Sequence, residues 1–107
     1  MVPAILWLDE LSDKIRAKCY VRIEQLQEHG YALHRPAAEY LGGGVYELRI
    51  RFRSVNYRLL YFFHGRSLIV ITHGFTKEQK VPPKEISYAA KCKERFENSP
   101  DKHTFEE

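Results

Sequence analysis

The segment VYELRIRFR, residues 45–53, decides how the rest of this sequence is interpreted. Apolar and charged residues alternate along it, and this alternation is typical of a β-strand, whose successive side chains point to opposite faces. The charged face of the predicted strand carries Glu47, Arg49, Arg51 and Arg53. Like charges close together destabilise a sheet. Two interpretations remain open: a solvated outer face, or a surface that binds a polyanion such as nucleic acid.

Two further segments predict strands that complete an antiparallel meander. Residues 57–63 alternate again, with Tyr57, Leu59, Tyr61 and Phe63 facing the core. Residues 68–73 are apolar almost throughout, as expected for a strand that is covered on both faces. Turn-forming residues separate the three predicted strands at 54–56 and 64–67.

Helices are predicted on both sides of this meander in the chain. Apolar residues at intervals of three or four predict a helical hairpin, or one bent helix, over residues 3–29, with Gly30 as its stop. Residues 31–44 are interpreted as a connector because Pro36 and three consecutive glycines interrupt any regular pattern. A polar loop at 74–80 precedes a C-terminal helix that ends near residue 98. The fold class is therefore α+β, a small antiparallel sheet of three to four strands packed by helices.

The bulk composition is that of one ordinary globular domain spanning residues 1–107, with about residues 98–107 as a flexible tail. No apolar run approaches the roughly 20 residues that a membrane helix needs, and the N-terminus has no basic region of the signal-peptide kind. Cys19 and Cys92 both fall in predicted helices and are interpreted as small hydrophobic residues of a reducing compartment. We therefore expect a cytoplasmic protein that does not contact a membrane.

Positive charge is concentrated in one third of the chain. Residues 45–80 contain seven basic and two acidic residues, a net charge of +5, whereas the remaining 10 basic and 12 acidic residues leave −2. A basic segment of this kind is the expected footprint of a nucleic-acid contact surface.

Four further positions are candidates for chemistry. Arg58 interrupts an otherwise apolar strand, and it is interpreted either as a salt-bridge partner of Glu47 or as a guanidinium aimed at a phosphate. Lys77 and Lys80 follow the third strand, where the end of the sheet would bring them near the arginines. His73 is an acid–base group by type. The histidines and cysteines show no metal-ligand spacing, so no metal or other cofactor is predicted.

Three motifs in order, YELR at 46–49, YRLLYFF at 57–63 and HGFTKE at 73–78, resemble the phage-derived Gp49-like (HigB) proteins of the RelE/ParE superfamily. These are toxins of type II toxin–antitoxin modules. The resemblance covers roughly residues 6–96 and implies a RelE-like antiparallel sheet, backed by an N-terminal helical hairpin and a C-terminal helix. Many family members begin with an additional strand before the first helix, so the resemblance implies that this sheet lacks that edge strand.

The resemblance also implies an activity and two partners. RelE- and HigB-like toxins cleave mRNA, often on the ribosome and without metal, by attack of a ribose 2′-OH on the adjacent phosphate. A cognate antitoxin, expected to be a helix-turn-helix protein, would hold the toxin inactive. By position in the motifs, the resemblance assigns catalysis to Arg49, Arg51, Arg58 and Lys77. Nucleic-acid binding is expected of Arg53, Arg66, Lys80 and His73.

Two non-enzymatic functions are alternatives. ParE-like relatives share the fold but inhibit DNA gyrase, and a degenerate member would bind RNA without cleaving it. The nuclease hypothesis requires that Arg49, Arg51, Arg58 and a loop lysine converge on one concave site. Cationic groups that lie on different sides of the molecule, or that are each held by a separate carboxylate, would argue against it.

Overall fold

The computed structural model describes residues 3–65, 68–76 and 81–98, which form one four-stranded antiparallel sheet with helices on both faces. The strands follow one another in sequence order across the sheet. They are β1 (Ala38–Gly42), β2 (Val45–Phe52), β3 (Val55–His64) and β4 (Leu68–Thr76). The helices are α1 (Ala4–Asp9), α2 (Asp13–His29) and α3 (Pro83–Asn98). The predicted α+β class is confirmed.

The first hydrophobic core lies between the sheet and the two N-terminal helices. Cys19 and Leu26 of α2 are buried against Leu48 of β2 and Leu59 of β3. Leu48 and Leu59 are register partners, so the alternation along both strands places them on the same face. The stripe of apolar residues predicted for α2 therefore packs on the face predicted as the core.

The opposite face of the sheet is also buried, because α3 covers it. Leu60 of β3 packs with Val45 and Ala89, and the Phe62 and Phe96 rings lie 5.8 Å apart in a T-shaped arrangement. Leu60 is the register partner of both Glu47 and His73, so these polar residues share the α3 face. The helix thus covers part of the face that carries the predicted arginines.

Strand β1 occupies a segment that the sequence predicted as a connector. Gly43 and Gly44 take φ values of 62° and 80°, a conformation open to glycine but strained for other residues. They turn the chain so that residues 38–42 pair with β2, and the Tyr40 and Tyr46 rings lie 4.8 Å apart. The prediction was wrong here because the glycines that looked like breakers form the turn of a hairpin.

The C-terminal part of β4 also differs from the prediction. Residues 74–76, predicted as loop, continue the strand, with Phe75 opposite Arg58 and Thr76 opposite Tyr57. The predicted tail lies outside the described residues except for Asn98, which ends α3.

Both cysteines lie in helices, as the sequence predicted. Cys19 lies in α2 and Cys92 in α3, and both are free thiols. Burial raises the pKa of the Cys19 thiol to about 11, so this side chain stays protonated near neutral pH. None of the described helices is both long enough and apolar enough to cross a bilayer.

Trp7 fixes α1 on the sheet by packing over Gly74. Gly74 is the register partner of Leu59, so it faces the N-terminal helices. A Cβ atom at this position would overlap the indole ring of Trp7. The absent side chain of Gly74 is therefore what allows the indole to lie against β4.

Gly74→Ala is expected to lower the free energy of unfolding by about 1–3 kcal/mol, because the added methyl group must displace the indole. Urea denaturation of wild type and variant measures the loss. In a Trp7→Leu background the same substitution should cost clearly less, since the overlap is gone. An equal cost in both backgrounds would contradict this packing account.

Candidate active site

The candidate site is a cleft of about 210 Å³ on the α3 face of the sheet. Strands β1, β2 and β3 supply its charged groups, and the start of α3 supplies an apolar wall. Its lining residues are Glu39, Leu41, Glu47, Arg49, Arg58, Val81 and Ile86.

Strand register brings the charged side chains of the cleft together. Arg49 lies opposite Arg58 on the neighbouring strand, and Glu47 lies opposite Glu39. Side chains of opposed residues on one face have Cβ atoms about 5 Å apart. Two arginines and two glutamates therefore meet on adjacent rungs of three strands.

These groups form a row of alternating charge. Arg58 Nη1 donates a hydrogen bond of 2.6 Å to one oxygen of Glu47, and Arg49 Nε donates to the other. Arg49 Nη2 also donates to Glu39, whose second oxygen accepts from Arg35. Three cations and two anions leave the row with a net charge of +1. Among the arginines of β2 for which repulsion was expected, Arg49 is thus the one whose charge is offset by carboxylates in the described structure.

The end of the row formed by Glu47 and Arg58 is buried. The Glu47 side chain is 1% exposed and that of Arg58 is 10% exposed, whereas Arg49 is 34% exposed. The buried Nε of Arg58 has no hydrogen-bond partner among the described residues. The salt bridge between Arg58 and Glu47, one of the two sequence interpretations, is present, and it places the guanidinium of Arg58 in the wall of the cleft.

The other arginines of the strand do not join this cleft. Arg51, opposite Asn56 on the neighbouring strand, is exposed and lines a separate groove beside α2. Arg53 lies in the turn after β2 with a φ of 58°, and its guanidinium carbon lies 5.3 Å from the centre of the Phe52 ring. Of the four cations expected to converge, the structure brings together Arg49 and Arg58. Lys77, together with Lys80 and Arg66, lies outside the described residues.

His73 is buried rather than exposed, with 2% of its surface accessible. Its Nε2 lies 3.1 Å from a carboxylate oxygen of Glu85, and its Nδ1 lies 3.0 Å from the Thr72 hydroxyl. Its ring also meets the Tyr88 ring edge-on at 4.9 Å. The sequence predicted that His73 binds nucleic acid, but in this buried position its imidazole is not accessible to such a ligand. It instead connects β4 to the first turn of α3.

A strand irregularity explains why His73 faces α3. Leu60 pairs with His73, but the next residue, Tyr61, pairs with Ile71, so Thr72 is an extra residue in β4. Such a bulge shifts the alternation of side chains by one position. The sequence contains no glycine or proline at this point that would have revealed the shift.

Burial lowers the pKa of His73 below its ordinary value, although the hydrogen bond to Glu85 partly opposes this effect. The imidazole is therefore neutral near pH 7. With Nε2–H donating to the Glu85 carboxylate, Nδ1 is an acceptor, and the single Thr72 hydroxyl hydrogen lies within reach of both Nδ1 and the Leu60 carbonyl.

Two residues of the site had no signal in the sequence. Glu39 lies in the segment predicted as a connector, so its pairing with Arg49 became visible only once β1 was known. Glu85 lies in the first turn of α3, where an acidic residue is common for reasons of the helix dipole alone. Across residues 3–65, 68–76 and 81–98, no group of three or more His, Cys, Asp or Glu side chains could hold a metal ion.

Comparison with protein families matches residues 6–94 to the family described as Phage derived protein Gp49-like. This match covers most of the chain and agrees with the resemblance identified from the three motifs. No significant match was found among the curated proteins that were compared.

Glu47→Leu is expected to destabilise the fold by about 3–5 kcal/mol, because the buried Arg58 guanidinium loses its partner. Urea denaturation provides the measurement. The double variant Glu47→Leu/Arg58→Met should recover most of the loss, since both buried charges are then removed. A double variant as unstable as Glu47→Leu would show that the pair is not the cause.

Stability should fall as the pH drops below about 6.5, because the unfolded chain binds a proton at His73 that the folded chain does not. Urea denaturation at about pH 7.5 and about pH 5.5 measures this loss. His73→Gln should reduce the difference between the two pH values, whereas His34→Gln, at an exposed histidine, should leave it unchanged. Identical pH dependence in all three proteins would contradict the burial argument.

Proposed function

Since this chain belongs to the phage-derived Gp49-like family, a RelE/HigB-like toxin family, we propose that it is an mRNA endoribonuclease that inhibits translation. The membership supports a toxin of the toxin–antitoxin type. Cleavage of mRNA, action at the ribosome and independence from metal are the parts that we propose.

The observation that carries this proposal is the shared carboxylate of Glu47. Arg49 and Arg58 both donate to Glu47, one to each of its oxygens, and Arg49 also donates to Glu39. This fixes two guanidinium groups at the wall of one cleft before any ligand arrives. Preorganised donors are worth most where charge develops in a transition state, because they need no reorganisation during the reaction.

The proposed reaction is an internal transesterification of RNA. The ribose 2′-oxygen forms a bond to the adjacent phosphorus, the bond from phosphorus to the 5′-oxygen breaks, and a 2′,3′-cyclic phosphate and a 5′-hydroxyl result. Arg49 and Arg58 would stabilise the additional negative charge of the pentacoordinate phosphate. A base takes the 2′-OH proton, and an acid returns a proton to the 5′-oxygen.

The base is proposed among the residues that follow β4 in the sequence. Arginine is a poor base because its pKa exceeds about 12, and His73 is buried and already hydrogen-bonded on both ring nitrogens. Lys77 follows β4, which ends at Thr76 opposite Tyr57, one position from Arg58. We therefore propose Lys77 as the base, with Lys80, Arg66 and Arg53 as contacts to the RNA backbone.

The proposed partners are mRNA on the ribosome and a helix-turn-helix antitoxin, in the cytoplasm. A toxin of this type requires an antitoxin, and the basic character of residues 45–80 favours an RNA substrate.

A second function is favoured by the same ion pairs. Because Glu39 and Glu47 already neutralise most of the charge of Arg49 and Arg58, a non-enzymatic member of the fold would need no other explanation for this site. Such a protein would inhibit DNA gyrase or bind RNA without cleavage. A gyrase supercoiling assay with purified protein separates the first of these from the nuclease.

Arg58→Ala is expected to lower the rate of mRNA cleavage by about 10²–10³-fold, because a preorganised donor to the transition state is lost. The assay follows mRNA in a purified translation system, and the 3′ ends of the products should carry cyclic phosphate. Arg95→Ala, at an exposed arginine of α3, is the matched control and should retain wild-type activity. Circular dichroism should show that both variants are folded.

Wild-type protein that leaves mRNA intact, both free and on ribosomes, would contradict the nuclease. Cleavage by Arg58→Ala at the wild-type rate would instead remove this residue from the mechanism.

A further inference from the structure

A furrow runs along one side of α2, separate from the cleft. It consists of two adjoining grooves of about 340 Å³ and 330 Å³ that share Arg22 and Gln25. We call it the α2 furrow and define it by its basic and titratable lining residues, which are Lys18, Arg22, His29, His34, Arg35 and Arg51.

The charge of the α2 furrow is not balanced as it is in the cleft. No carboxylate lines either groove among the described residues. Within the same part of the chain, Lys18, Arg22 and Arg51 form no salt bridge; Arg22 donates to Gln25 and Arg51 to a backbone carbonyl. Three furrow cations, Lys18, Arg22 and Arg51, therefore keep their charge uncancelled, whereas Arg35 at the far end is paired with Glu39.

The furrow begins where the sheet edge is open. The amide of Arg49 donates to the Ala37 carbonyl just before β1 begins, and Arg51 lies beyond that point on β2. Two residues along a strand span about 7 Å, which is comparable with the separation of successive phosphates in an extended nucleic-acid strand. The distance along β2 from Arg49, in the cleft, to Arg51 is therefore close to the distance between two successive phosphates.

Arg49 connects the two sites physically. Its side chain lines the cleft, and its backbone carbonyl accepts a hydrogen bond of 3.0 Å from Arg22 Nε in the furrow. A nucleic-acid strand with one phosphate between Arg49 and Arg58 can therefore continue over Arg51 onto Lys18 and Arg22, so that each successive phosphate meets a cation. This continuity favours a nucleic-acid backbone over an acidic protein segment, which would have no reason to begin at the cleft.

We infer that the α2 furrow binds the phosphodiester backbone of the RNA that flanks the cleaved bond. The inference rests on the proposed function, since it extends that site to the neighbouring nucleotides. Arg51 then contacts the flanking phosphate rather than the phosphate that reacts.

The test uses RNA that cannot be cleaved, so binding is measured apart from catalysis. A trinucleotide and a dodecanucleotide of 2′-O-methyl uridylate are titrated with the full chain at several salt concentrations, and fluorescence anisotropy gives each Kd. Lys18→Gln removes a furrow cation, and Val21→Glu places a carboxylate in the furrow at an exposed helix position, 55% accessible. Lys91→Gln and Tyr20→Glu are the matched controls, outside the residues that line the furrow.

Wild type should bind the dodecanucleotide more tightly than the trinucleotide and with a steeper salt dependence. Lys18→Gln should reduce the slope of log K against log salt for the dodecanucleotide by about 1. Val21→Glu should weaken that binding further, and neither variant should change binding of the trinucleotide. Both controls should behave as wild type.

Equal binding of the two oligonucleotides by wild type, or furrow variants that match their controls, would overturn the inference. It would also be overturned if the furrow variants lost affinity for a decaglutamate peptide but kept that for the dodecanucleotide, which would assign the furrow to an acidic protein. Failure of the nuclease proposal can be distinguished from failure of this inference. In that case mRNA stays intact in the translation assay, while the furrow variants still weaken binding of the dodecanucleotide.

Discussion

The shared pairing of Arg49 and Arg58 with one buried carboxylate is the constraint on which the candidate site depends. Glu47 is almost fully enclosed, so its charge is tolerated only because a guanidinium group donates to each of its oxygens. Removing either arginine leaves one oxygen of this buried carboxylate without its donor, while the other arginine stays paired. The interaction that holds β2 and β3 together on this face therefore also fixes the geometry of the cleft.

Helices cover both faces of the sheet, and the two faces differ in character. Helix α2 covers a face of mainly aliphatic and aromatic residues, whereas α3 covers a face that mixes Leu60 and Phe62 with charged groups. Val81, just before α3, and Ile86, in its first turn, form the apolar wall beside the ion pairs. Hydrogen bonds to an anion are stronger in such surroundings than in bulk solvent.

The molecule offers two kinds of positive surface, and their difference has a functional meaning. In the cleft, carboxylates position the arginines, which supports the proposed binding of one phosphate there. In the α2 furrow Lys18, Arg22 and Arg51 form no salt bridge among the described residues, which supports the proposed sequence-independent contacts to a backbone. The cleft and the α2 furrow lie side by side because the end of β2 beyond Arg49 has no β1 partner.

The sequence by itself determined the α+β class, the helices, the central strands and the family, because dense apolar periodicity and three motifs in order depend on local residues. It also raised the pairing of Arg58 with Glu47 as one of two interpretations. Only the tertiary structure decided which cations meet. Pairing between distant segments sets three features that the sequence did not reveal. These are the glycine turn that creates β1, the bulge at Thr72 that buries His73, and the end of β1 that separates Arg51 from Arg49. Side-chain alternation along one strand carries no information about such pairing, which is why the charged face predicted from residues 45–53 became two different sites.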